Sequence, residues 1–244
     1  MKTTKTVKYV ALIFLLIILS DLFIYKYGNQ RNWLGKTHVS VRRQLKEMGV
    51  RSKNYSYGIY PSGKISLDLR DNKLNNLSAL AFMPLEELTI FNSQVKDISS
   101  LYSCDTLRVL RIYNSPVYDL TPLLYLKCLD DVVLVKTDVS DVSSLKEIQL
   151  ETLDLSFSPV TDISNINTSR LVSLSIVGTG ITNLSTLNPD KLLSFNFSVE
   201  SMPDNENGLE VIRKMTNCVI NYYSDSKTFW KEYDEKKLLK KNQE

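Results

Sequence analysis

Histidine is nearly missing from this sequence: His38 is the only one in 244 residues. A lone imidazole near the N-terminus excludes histidine-based catalytic triads and multi-histidine metal centres from the rest of the chain. Cysteine is scarce as well. Cys104, Cys128 and Cys218 are an odd number, so they cannot all pair within one chain, and they do not form the pattern of a disulfide-stapled small domain. Glycine occurs only 8 times and never as a phosphate-cradling loop; its one cluster, "VGTG" at 177–180, falls inside a repeat described below. An excess of one charge is lacking too. Lys and Arg outnumber Asp and Glu by 30 − 27 = 3, too small a bias to argue for nucleic acid as a partner.

One absence is local. Charge disappears from Tyr9 to Ser20, "YVALIFLLIILS", directly after Lys2, Lys5 and Lys8; Asp21 interrupts the run before "LFIY" carries it to Tyr25. A basic flank followed by an apolar run reads as an export signal. Ile18 fits a small-residue cleavage site poorly, which favours a retained anchor over a cleaved signal, and no cysteine follows that a lipid would modify. The 17 residues from Tyr9 to Tyr25 are at the short end of what crosses a core of ~30 Å. Tyr9, Tyr25 and Tyr27 would sit at its interfaces, with the lysines inside and everything after Lys26 outside the cytoplasm. Release as a secreted or periplasmic protein is the alternative.

What the chain has in quantity is itself. "SFSPVTDISNI", Ser156 to Ile166, nearly repeats "YNSPVYDLTPL", Tyr113 to Leu123. Aligned on the apolar pair before each such motif, seven rungs appear: Leu67/Leu69, Leu88/Ile90, Leu110/Ile112, Val132/Leu134, Leu153/Leu155, Leu174/Ile176 and Phe195/Phe197. Their first members are 21, 22, 22, 21, 21 and 21 residues apart. Three further apolar series keep phase, opening with Leu74, Leu77 and Leu80. Alternation of the apolar pair puts both side chains on one face of a short strand. About 21 residues cannot bury that face alone, so the rungs must stack into one continuous core with a parallel sheet on one side.

The segments "VKDISSL", "VYDLTPL", "VSDVSSL" and "VTDISNI", between Val95 and Ile166, resemble the leucine-rich repeat of the internalin type. The likeness runs from about Lys64 to Glu200. It implies an α/β repeat solenoid, a curved parallel sheet with helical flanking caps, here preceded by an N-terminal transmembrane helix. A bacterial envelope origin and a protein-binding role also follow from the resemblance, not from the periodicity. The asparagine that the family carries after the strand is present once, as Asn72; Ser93, Ser115, Thr137, Ser158, Thr179 and Glu200 take its place. A hydroxyl still bonds backbone at a turn, more weakly. No wall-sorting motif or wall-binding module follows the repeats, so the likeness does not extend to that part of the internalins.

The expected organisation is an anchor at 1–27, an N-terminal cap at 28–63, repeats at 64–200 and a C-terminal cap at 201–244. In the first cap Val39, Leu45, Met48 and Val50 supply apolar contacts, and "YSYGIYPSGKI" leads into the first strand. In the second, a helix starts near Gly208, "CVINYY" extends the sheet, and a last helix begins at Asp225 or Ser226 with Phe229, Trp230 and Tyr233 on its apolar side. The series Asn76, Asp97, Asp119, Asp141, Asp162 and Asn183 is read as a ladder of turn caps, not a metal or acid–base array.

Chemistry finds little to stand on. Asp68 and Asp154 share a strand position four rungs apart, about 19 Å by the strand spacing, whereas paired carboxylates for glycoside hydrolysis need about 5–10 Å. Asp68 and Asp71 flank Arg70, a salt-linked solvated face, and Cys104 and Cys128 are expected to be buried thiols. The reading is a non-enzymatic binding protein with no cofactor, metal or nucleic acid. Residues between and after the strand leucines point away from the core, and among them Phe91, Arg111, Tyr113, Val133, Val135 and Phe157 form an aromatic and apolar cluster flanked by charge, the composition of a protein-binding patch. Two other classes remain open: a structural component of an envelope assembly using its ends or convex side, and a carbohydrate-active enzyme.

Overall fold

The computed structural model describes residues 38–71, 73–221 and 225–241. The expected anchor over residues 9–25 lies outside them. Among the described residues no helix is long and apolar enough to cross a membrane.

Seven parallel strands carry the seven expected rungs: β2 (Ile65–Leu69), β3 (Leu85–Phe91), β4 (Val109–Tyr113), β5 (Asp131–Val135), β6 (Thr152–Asp154), β7 (Ser173–Ser175) and β8 (Ser194–Asn196). Their register follows the repeat, with Leu67, Leu88, Leu110, Val132, Leu153, Leu174 and Phe195 facing one another in turn. A slip of one residue would turn every one of these side chains to solvent, so burial of one face fixes the register.

Past β3 to β7 the chain turns sharply, through the left-handed region at Asn92, Asn114, Lys136, Phe157 and Gly178. The next residue turns inward. Ser93, Ser115, Thr137, Ser158 and Thr179 are all buried, and their hydroxyls replace the expected asparagines with a ladder: Ser93 donates to Ser115 at 2.8 Å, while the hydroxyls of Thr137 and Ser158 lie 2.9 Å apart. Farther on, the side-chain oxygens of Asn76, Asp97, Asp119, Asp141, Asp162 and Asn183 each accept the amide N–H two residues ahead, at 2.7–3.0 Å. These residues precede the N-cap position, so the ladder is one of Asx turns that start the tight return path. There, each rung closes a three-residue turn in which the fourth leucine series donates to the third, as Leu101 N–H does to Ile98 at 2.9 Å. Both leucines are thereby aimed at the core, where all four series are buried.

The ends are closed as solenoids require. Helix α1 (His38–Glu47) sets Val41 and Leu45 against the first rung, and Val50 follows in the adjoining turn. The segment expected merely to approach the first strand is itself a strand, β1 (Tyr55–Ile59), antiparallel to β2 through a hairpin. At the other end α2 (Leu209–Arg213), β9 (Val219–Ile220) and α3 (Ser226–Lys241) follow β8, and β9 extends the sheet as expected. Asp225 caps α3 by accepting Thr228 N–H at 2.7 Å. Phe229 meets Phe197 edge-on at 5.9 Å, and Phe197 stacks on Phe195 at 5.2 Å, so the apolar side of α3 seals the last rung.

Two expectations are corrected. Cys128 is exposed, because its place on the return path carries no member of the apolar series, while Cys104 and Cys218 are buried; all three are free. Burial pushes the Cys104 thiol up to about 12. Asp71 does not belong to a solvated face with Asp68: it is buried and accepts Asn54 Nδ2 at 2.8 Å and Lys73 N–H at 3.0 Å, tying the N-terminal cap to the first rung.

Candidate interaction surface

Strand alternation puts three columns of side chains on the face away from the core. The one nearest the strand C-termini runs Arg70, Phe91, Tyr113, Val135 across β2–β5 and the residue after β2. Adjacent parallel strands are about 4.8 Å apart, close to the spacing of offset-stacked rings. The side chains use it: the Phe91 and Tyr113 rings lie 4.6 Å apart and 6° from parallel, and the Arg70 guanidinium sits 4.7 Å from the centre of the Phe91 ring. Cation, ring and ring form one continuous stack over three rungs. Partial burial raises the Tyr113 phenol above its ordinary range.

In the middle column Arg111 is half-buried and donates to Asp131 at 2.6 Å. Asp131 belongs to a third column (Ser66, Glu87, Val109, Asp131, Thr152, Ser173, Ser194) that the sequence reading left out, although the same alternation, carried two residues toward each strand's start, marks it. Its second oxygen is buried and has no hydrogen-bond partner among the described residues. Desolvation raises the Asp131 carboxyl, against the opposing pull of Arg111. Glu87, from the same column, accepts Tyr60 Oη and Ser66 Oγ, each at 3.0 Å, which draws the β1–β2 hairpin over this face.

Val133 departs from the expectation. It is 7% exposed, because the sheet packs it between Arg111 and Asp154 in register. It is floor, not contact surface. Phe157 lies outside the strand columns, in the turn. It is 55% exposed and held at φ 59°, a left-handed conformation that a bulky residue seldom adopts. Its ring rests on Gly178 of the next rung, where a Cβ would come within 2.6 Å of Phe157 Cδ1, and Lys136 Nζ lies 5.8 Å from its centre. Phe91, Arg111, Tyr113 and Val135 therefore share the sheet face that points away from the core, and Phe157 stands on its rim beside Lys136.

The opposite rim differs. Lys64, Glu86, Arg108 and Asp130 alternate in sign over successive rungs and pair with one another, and Glu151 pairs with Arg170. Asp130 beside it holds the Arg108 guanidinium above its usual range. Charges matched within the chain leave that rim little to offer a partner. Among the described residues no group of three or more His, Cys, Asp or Glu is placed to hold a metal.

No protein-family model matches the chain, and no curated protein matches it significantly. Solved structures do. An internalin (InlF) from Listeria monocytogenes superposes on 63% of this chain with a TM-score of 0.54 and 22% identity, and this chain spans 53% of that structure. Internalin C2 from the same organism superposes on 63% with a TM-score of 0.51 and 19% identity, with 67% of that structure covered. The likeness is one of fold: a leucine-rich-repeat solenoid like those of the two internalins.

Proposed function

We propose that the chain is a recognition solenoid that binds a protein through the concave face of β2–β5 and the adjoining rim. The observation that carries this is the in-register stack of Arg70, Phe91 and Tyr113, continued by Val135 and by the exposed, strained Phe157. Large rigid aromatics and arginine dominate binding energy where they are grouped and framed by polar groups. Arg111 and Lys136 supply the frame, and Val133 the floor. The internalin-like fold supports a protein partner, since such solenoids present extended concave surfaces. The same reading places the repeats outside the cytoplasm, tethered by residues 9–25; membrane fractionation checks it, with full-length chain pelleting and chain lacking 1–27 released.

The test of the face is capture of partners from native envelopes by wild type and by a folded Phe91→Ala/Tyr113→Ala/Phe157→Ala variant. Loss of a protein from the variant alone is expected. Recovery of the same set by both would overturn the concave reading. It would favour assembly through the convex side, where Tyr102, Tyr118 and Tyr125 are each about 60% exposed.

A further inference from the structure

The charges on the sheet face that carries the aromatic stack do not balance. Across β2–β6 its columns hold four carboxylates, Asp68, Glu87, Asp131 and Asp154, and two cations, Arg70 and Arg111. The surplus is 4 − 2 = 2 negative charges, in a chain whose net charge is +3. Arg70 lies 3.4 Å from Asp68, and Arg111 lies 2.6 Å from Asp131. Among the described residues neither Glu87 nor Asp154 forms an ion pair. Glu87 accepts from the neutral hydroxyls of Tyr60 and Ser66, and Asp154 accepts Ser156 N–H at 2.9 Å. Lys136, on the rim, lies over the Phe157 ring and pairs with neither.

The two unmatched carboxylates bracket the aromatic stack. β3 and β6 are three strand spacings apart, about 14 Å at about 4.8 Å each, and Tyr113 stands between them on β4. Both carboxylates are half-buried, where charge is screened less than in open solvent. Their field reaches the residues between them. Burial is the main cause of the raised Tyr113 phenol, and Asp154 adds to it; desolvation dominates at Asp131, and Glu87 adds to it there. Arg111, the cation between them, is already committed to Asp131.

We infer that the partner crosses this face with a basic, extended segment, whose lysine or arginine side chains reach Glu87 and Asp154 while apolar side chains between them cover Phe91, Tyr113 and Val135. The inference rests on the reading of β2–β5 as the binding face and adds the sign of the ligand. Complementary charge selects the partner and steers its approach, and the aromatic side chains supply the hold. A neutral or acidic segment would desolvate two carboxylates without bringing a counter-ion, which opposes binding. In an extended segment side chains four residues apart share a face and lie about 13 Å apart, which matches the separation of β3 and β6.

The probe is a fluorescein-labelled nonapeptide of alternating Lys and Val, titrated into the full chain and followed by anisotropy beside its Glu–Val counterpart. Saturable binding of the Lys peptide is expected, tenfold or more tighter than that of the Glu peptide. Glu87→Gln/Asp154→Asn preserves shape and an acceptor at each position while removing the charge, and is expected to weaken the Lys peptide fivefold or more. Asp97→Asn/Asp162→Asn removes two charges from the return path and should leave the affinity unaltered. If the first variant melts early because Glu87 holds the hairpin, Asp154→Asn alone replaces it, with a loss of twofold or more expected. Absence of saturable binding, equal weakening by both pairs, indifference to the Glu87 and Asp154 changes, or preference for the Glu peptide would each overturn the proposal. Phe91→Ala/Tyr113→Ala separates it from the reading on which it rests. Affinity lost in this variant but kept in the carboxylate variant would overturn the basic partner and leave the binding face standing. Affinity lost in the carboxylate variant alone would support the basic partner and overturn the aromatic contact.

Discussion

Phe157 and Gly178 show how one residue's strain and another's lack of a side chain create a surface feature. Asn92 and Asn114 hold the same left-handed turn position three and two rungs back, at φ 50° and 48°, and asparagine tolerates that region where a bulky side chain is strained on the order of 1 kcal/mol. Phe157→Asn is therefore expected to leave stability unchanged or raise it by about 1 kcal/mol while lowering partner affinity. A urea titration showing a loss of several kcal/mol would mean that the ring is structural. Gly178→Ala works in reverse. Its backbone is at φ 68° and its new Cβ would press on the Phe157 ring, so a destabilisation of about 1–3 kcal/mol is expected. Combining it with Phe157→Asn should recover part of that loss, the mark of two residues sharing one space. The left-handed residue after β3 to β7 was not legible, because Asn, Lys, Phe and Gly share no composition there. Membership of Phe91, Arg111, Tyr113 and Val135 in one face was legible, since period-two alternation decides it. The low exposure of Val133 was not legible, because alternation gives direction while exposure depends on the neighbours in register.

The rung owes its shape to two polar ladders with different exposures, and they should respond to different perturbations. Ser158 accepts Thr137 N–H at 3.1 Å, pairs with the Thr137 hydroxyl and donates to Leu134 C=O at 2.8 Å, all in the buried interior. Ser158→Ala strands at least one buried donor and one acceptor, at an expected cost of about 1–3 kcal/mol in denaturant unfolding. The Asx ladder lies in solvent, and Asp162→Ala should cost less than Ser158→Ala in the same experiment. Acid should reach the Asx ladder, together with Asp71 and with Asp234, which Arg213 holds low. The Thr121, Ser143 and Ser164 groups that donate to Asp119, Asp141 and Asp162 hold these carboxyls below their usual range, and the Asn54 amide does the same to Asp71. A depressed folded value contributes stability that is present above the unfolded value near 4 and lost as pH falls through the folded one. The denaturation midpoint is thus expected to hold from neutrality down to about pH 4 and to fall below it. A midpoint that stayed flat to pH 2 would mean that the ladder carries no stability. Both ladders occur once per rung, which made their positions readable. The hydroxyls' rung-to-rung pairing was not, because a serine does not reveal its partner.

At the scale of the whole molecule the solenoid is one core with two open ends, so its stability depends on what closes them. The apolar series fix the rungs because each leucine must find the next rung's leucine, which is why seven strands can be counted from the sequence. The caps carry no repeat, so nothing in the sequence marks β1 as a strand rather than an approach segment. At the C-terminal end the closure rests on a few large side chains: Phe229 against Phe197, and Trp230 edge-on to Phe229 at 4.9 Å with the Arg213 guanidinium 4.1 Å from its ring centre. Asp234 holds that arginine at 2.8 Å and keeps it above its usual range. Truncating one buried Phe or Trp typically costs about 3–5 kcal/mol, against a total of about 5–15 kcal/mol for a domain. Removing residues 225–244 takes away both Phe229 and Trp230 and bares Phe197, so the remaining chain should stand near its folding threshold. In a stack where each rung contacts only its neighbours, the loss should also spread inward from the open end. Hydrogen exchange on the truncated chain is expected to show protection falling first in β9 and β8, then in β7, and last in β3–β5. Uniform loss of protection along the sheet would instead mean that the rungs unfold as a single unit, and that the C-terminal helix stabilises the molecule as a whole rather than closing its end.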